Sequence, residues 1–277
     1  MSSDAAEQAI REGDLQAATS ALQGEIRADP SNPKLRVFLF QLLCVKGEWE
    51  RALTQLQLAA DLDAAALAMA QMYRETINCE LLRTKVFAGA TSPMIFGEPD
   101  EWLALLIESL LAQGAGRDGE CQELRGRAFD AAPPSPGAID DEAFEWIADA
   151  DMRLGPVCEA IINGRYYWVP FARLTRIDLE APVDLRDVVW LPAHFRFANG
   201  GEAHGVIPSR YPSSETADDA LICLGRKTVW TEETPDQFYG LGQRVLATDT
   251  GDHAVMDVRT IAIGETAASQ PEEATGA

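Results

Sequence analysis

The sequence predicts an α+β multidomain chain, with a helical repeat array in its first half and a small β-rich domain of barrel or sandwich type in its second. Three observations predict it. Two stretches of the first half match in register around a glycine, 34 residues apart. The proline-rich break "PPSPG" at 133–137 separates the halves. Beyond it, Asn-Gly and Thr-Gly dipeptides punctuate short apolar runs, a hairpin signature.

The helical half spans residues 1–132. "EGDLQAATSALQGEIRADPSNP" (12–33) aligns with "KGEWERALTQLQLAADLDAAAL" (46–67), pairing Gly13 with Gly47, Leu15 with Trp49, Ala18 with Ala52 and Leu22 with Leu56. Glycine tolerates the backbone turn between two helices. The alanine allows close helix approach, and the large residue one turn on fills the seam. Pro30 ends the second helix of the first unit. The 34-residue period with G-[DE]-[LW]-x-x-A resembles the tetratricopeptide repeat. A fainter echo follows at Gly116, Cys121, Ala128 and Pro133. Residues 65–97 read as a further helical pair without its glycine, and "PDEWLALLIESLLAQG" (99–114) as a helix begun by Pro99. Stacked pairs form a groove suited to a peptide or helix, equally readable as a scaffold for the second half. Val37, Gln41 and Cys44 are the expected inward-facing positions, where a basic carboxylate clamp would need Lys and Asn.

A linker and connecting helix are expected over 133–155. Asp140 would cap that helix, with Phe144, Ile147, Asp151 and Leu154 on one face and Gly155-Pro156 stopping it. The β-rich domain spans 156–264. Hairpins are expected at Asn163-Gly164, Asn199-Gly200 and Thr250-Gly251, and five prolines between 170 and 212 favour short strands. In "RYYWVPF" (165–171), strand alternation puts Tyr166 and Trp168 on one face and Tyr167 and Val169 on the other. Rings on both faces suit a central strand buried against the helical half, with the Tyr167/Phe171 neighbourhood as the competing docking patch. Residues 265–277 read as a disordered tail.

Composition narrows the function. The net charge is −21, with 20 acids to 12 bases before residue 133 and 21 to 11 over 133–264. Neither half offers a basic face, so nucleic acid and anionic membranes are poor partners. Asp4, Glu7, Arg11, Glu12 and Asp14 exclude a signal-peptide core, and the run Trp102–Ile107 is too short to span a bilayer, so a cytoplasmic protein is expected. The five cysteines form no C-x-x-C pair and read as small buried apolar side chains. No cofactor motif and no catalytic motif is present. His194 and His204 flank the second hairpin turn, ten residues apart, at positions that could face each other across it, which keeps a metal-binding or hydrolytic β domain as the alternative reading; no cysteine at ligand spacing and no H-E-x-x-H accompanies them.

"GRYYWVPF", "LRDVVWLPA", "PSRYP" and "DVRTIAIG" resemble, in combination, the ImpE/TagJ family, accessory proteins of bacterial type VI secretion systems. With the helical repeats in front, the resemblance covers residues 1 to about 264. It implies a non-enzymatic, cytoplasmic adaptor that binds the N-terminal helix of the small contractile-sheath subunit and is linked to the AAA+ unfoldase that recycles contracted sheath. It brings no catalytic residues and no binding map.

Overall fold

The computed structural model describes residues 4–98, 100–234 and 237–264. Helices fill its first half: α1 (Asp4–Glu12), α2 (Leu15–Ala28), α3 (Pro33–Val45), α4 (Trp49–Leu62), α5 (Leu67–Phe87), α6 (Glu101–Gly114) and α7 (Asp118–Ala131). Gly13, Gly47 and Gly116 separate α1 from α2, α3 from α4 and α6 from α7, each in the left-handed region (φ +82, +67 and +70). Asp14 caps α2, accepting the Ala17 N–H at 2.7 Å. Ala18, Ala52 and Leu22 are fully buried and Leu56 nearly so, as close helix approach requires.

Residues 65–97 differ from the expected pair. A 3-10 turn (Ala64–Ala66) leads into the single 21-residue helix α5, and the chain then reaches the short strand β1 (Met94–Ile95). Nothing between Leu67 and Phe87 breaks a helix, and Gly89 (φ +66) is the first residue to turn the chain. There its Cα approaches Gly114 so closely that a Cβ on Gly89 would lie 2.4 Å from the Leu110 carbonyl oxygen. Pro99 lies outside the described residues.

The second half is β-rich: β2 (Gly137–Ile139), β3 (Glu142–Phe144), β4 (Ile147–Asp149), β5 (Val157–Ile162), β6 (Arg165–Pro170), β7 (Leu174–Leu179), β8 (Trp190–Phe197), β9 (Glu202–Pro208), the short helix α8 (Ala220–Cys223), β10 (Thr228–Thr234), β11 (Gln237–Gly242), β12 (Val245–Thr248), β13 (Asp252–Ala254) and β14 (Thr260–Ile263). One nine-stranded sheet runs β1-β6-β5-β9-β8-β7-β14-β2-β3, beside a β10-β11 pair and a β13-β12-β4 sheet. The three expected hairpins form as β5–β6, β8–β9 and β12–β13. Asn163 and Gly164, at φ +50 and +69, make the two-residue turn.

The connecting helix expected after Asp140 is absent, and two strands occupy its place. Asp140 and Asp141 both take positive φ (+45 and +74), a two-residue reversal between β2 and β3. The Asp140 carboxylate does not cap a helix; it accepts the Arg259 and Thr260 N–H groups of the adjoining chain at 2.7–3.1 Å. β4 then pairs with β12, so ladder partners from residues 245–263 decide the structure over the local pattern. The expected tail, 265–277, lies outside the described residues.

One face of the large sheet shares a core with the helices: Tyr166, Trp168 and Trp190 cluster with residues of α3, α5 and α6. Val169, Phe171 and Phe195 belong to a second core on the other side. β1, from the first half, pairs in parallel with β6. The boundary placed at residue 132 is therefore crossed by both a strand and a core.

Candidate functional site

A cleft of about 720 Å³ opens between the first helices and the segment Pro182–Val188. Its helical wall carries Ile10 and Arg11 of α1 and Lys34, Val37, Phe38 and Gln41 of α3; Val183, Asp184 and Leu185 face them. The opposing loop is held open by its own hydrogen bonds. Asp187 accepts the N–H groups of Val183 and Asp184 at 2.9 and 2.7 Å, and Arg186 lies over the Tyr73 ring of α5, 5.0 Å from its centroid. Val183 consequently stands 91% exposed on the cleft's rim. An isolated exposed valine is unremarkable; this one projects beside a concave, partly apolar surface, where an incoming apolar face would cover it.

Away from the cleft lining, buried polar groups join the halves. Arg83 of α5 forks onto Glu159 of β5 at 2.7 and 2.9 Å. Arg244 bridges Glu159 and Asp149, Tyr211 donates to Asp149 at 3.0 Å, and Tyr166 donates to Glu159. Trp190 donates its indole N–H to Glu80 of α5 at 2.9 Å. Arg210, fully surrounded, donates to the carbonyls of Val45 (2.9 Å) and Cys223, the last turns of α3 and α8. Burial raises the thiols of Cys79 and Cys158 to about 12, and all five cysteines are buried. They are poorly disposed to act as nucleophiles.

The expected site residues separate. Val37 and Gln41 line the cleft, whereas Cys44, one turn on, is sealed at 0% exposure beneath Arg210. Tyr167 meets Phe96 edge-on at 5.8 Å. Phe171 is fully buried in the second core and presents nothing to a partner. His194 and His204 do face each other: they pair across β8–β9, and their rings stack 4.4 Å apart at 14°. His194 Nε2 meets Glu202 at 2.9 Å. Parallel stacked rings do not converge their nitrogens on one point, and the described residues hold no group of three His, Cys, Asp or Glu able to bind a metal. No described helix is long and apolar enough to cross a membrane. Val183 was missed from sequence, its signal being only a lone apolar residue after a proline in "EAPVDLR".

Comparison with known proteins places this geometry. The family described as ImpE protein matches residues 141–262. The type VI secretion system accessory component TagJ of Pseudomonas aeruginosa is 48% identical over 256 residues, 92% of this chain and 90% of that protein. The chain belongs to the ImpE/TagJ family. Its fold is similar to that in a crystal structure of protein VPA1032 from Vibrio parahaemolyticus, with a TM-score of 0.85, 25% identity, and coverage of 94% of this chain and 98% of that one. The family's match spans β3 to β14, whereas the cleft also draws on α1 and α3, which lie outside residues 141–262.

Proposed function

We propose that the chain is a non-enzymatic, cytoplasmic adaptor of a bacterial type VI secretion system. In this reading it captures the N-terminal helix of the small contractile-sheath subunit and thereby modulates handling of the sheath by the AAA+ unfoldase. The observation that carries the reading is the likeness, over 92% of the chain, to a type VI secretion accessory component. The first half is read as a tetratricopeptide-like array, supported by the matched glycine turns at Gly13 and Gly47. Its cleft suits a helix laid in a groove: Ile10, Val37, Phe38 and Val183 supply apolar contact, with Arg11, Lys34 and Asp184 at the sides.

Calorimetric titration of the full chain with a peptide copying that sheath helix tests the reading. We expect saturable 1:1 binding with a negative heat-capacity change, from burial of apolar surface. Val183→Asp, on an exposed side chain, weakens it about tenfold by placing a charge under the helix. Absence of binding near about a millimolar, a free energy of only about −4 kcal/mol, ends the helix-capture reading.

A further inference from the structure

A second concavity, of about 440 Å³, lies where α7 ends, and none of its lining residues belongs to the cleft. Its walls are largely apolar: Phe129, Pro133, Pro134, Trp146 and Met152. Trp146 is 40% exposed, which leaves much of an indole facing solvent at the mouth. Ser135, 4% exposed, also lines the pocket, and its hydroxyl finds no hydrogen-bond partner among the described residues. A buried hydroxyl without a partner costs stability unless something completes it.

The surroundings are predominantly acidic. Residues 127–153 contain seven acids against two bases, the exposed Arg127 and Arg153, which pairs with Asp151. Asp149 and Asp151 are buried against Arg244 and Arg153, and the Asp140 carboxylate is occupied by N–H groups. Asp130, Asp141, Glu142 and Glu145 remain exposed. Asp130 and Glu145 adjoin Phe129 and Trp146 in sequence, and Asp249 joins them by accepting the Glu145 N–H at 2.7 Å. An apolar pocket whose lining residues adjoin exposed acids, in a neighbourhood of net negative charge, favours an apolar group accompanied by positive charge.

We propose that this pocket is a second docking site, which takes a bulky apolar side chain flanked by Lys or Arg from a segment of a partner protein. It is independent of the cleft: the two surfaces are separate, and both can be filled at once. An adaptor requires two such surfaces, and a single cleft provides one.

The test is calorimetric titration of the full chain with the synthetic peptide acetyl-KKWKK-amide, beside acetyl-EEWEE-amide and acetyl-KKGKK-amide. The tryptophan-centred basic peptide should bind saturably, and the two controls about tenfold more weakly or not at all. Glu145→Lys, a surface change, should weaken it about fivefold and flatten its salt dependence. Trp146→Ala should cost about tenfold, whereas Val183→Asp in the cleft should leave it unchanged. Equal binding of either control peptide, no saturable heat for the first, or loss through Val183→Asp with Trp146→Ala silent, overturns the proposal. Those outcomes leave the sheath-helix titration untouched, so failure here is distinguishable from failure of the cleft.

Discussion

Glu159 and Asp149 share Arg244 yet are pushed in opposite directions. Burial raises Glu159, but Arg83 and Arg244 outweigh it and hold the group at about 2 against an ordinary 4.5. Asp149 has Arg244 and the Tyr211 hydroxyl, and burial wins, pushing it up to about 6 from 3.8. The consequences for stability have opposite signs. Glu159 contributes above pH 4.5, and that contribution is lost as pH falls toward 2. Asp149 holds its proton in the folded state below 6, so stability declines as pH rises from about 4 through 6 and stays lower beyond. Each limb is worth about 3 kcal/mol at roughly 1.4 kcal/mol per pH unit. The urea midpoint should therefore climb from pH 3 to about 4, decline to about 6 and stay lower at 7. Asp149→Asn should remove the decline, while Glu159→Gln, which strands two buried guanidinium groups, should lower the midpoint at neutral pH. A decline that survives Asp149→Asn would assign it to another group.

At the scale of elements, Arg210 joins the end of α3 to the end of α8 through carbonyls that no intrahelical donor reaches. Removing it in Arg210→Ala leaves those acceptors buried and unpaired, an expected loss of about 2–3 kcal/mol. Arg210→Lys should restore less than half, because an ammonium lacks the planar fork that reaches both carbonyls; urea denaturation of the two variants reads the difference. This joint also explains how far the sequence could be read. Gly13, Gly47 and Asn163-Gly164 announce their turns because each occupies a backbone region that other residues avoid. Asp140-Asp141 makes an equivalent turn without that signature, and Phe144, Ile147 and Leu154 happen to repeat at helical spacing. Only the strands that pair with them decide otherwise. On α3, residues 37, 41 and 44 share a face, as their spacing requires. Whether that face is open depends on Arg210, 166 residues beyond Cys44, which seals its last turn. Val183 owes its exposure to a loop held across from α1 by Asp187, a relation between distant segments that no local pattern encodes.

One of the molecule's two cores spans both halves, and this sets how it unfolds. Phe87 of α5 packs against Trp168 at 6.1 Å, and Tyr73 against Trp190 at 5.7 Å. The Arg83–Glu159 pair sits between them with neither side chain more than 5% exposed. Separating the halves would bare Tyr166, Trp168 and Trp190 and strip Glu159 of one guanidinium, leaving a buried charge half compensated. An intermediate with one half folded therefore carries a penalty that the unfolded chain does not, and partial unfolding is suppressed. Scanning calorimetry should show a single transition whose van't Hoff and calorimetric enthalpies agree. Residues 133–264 expressed alone should bind a dye for exposed apolar surface and melt without a cooperative transition. Two resolved transitions, or a cooperatively melting β half, would mean that each half is stable by itself and that the shared core adds contact without coupling. In the single-transition case the cleft and the α7 pocket sit on one rigid frame, so a partner held at one surface is presented at a fixed geometry to whatever binds the other.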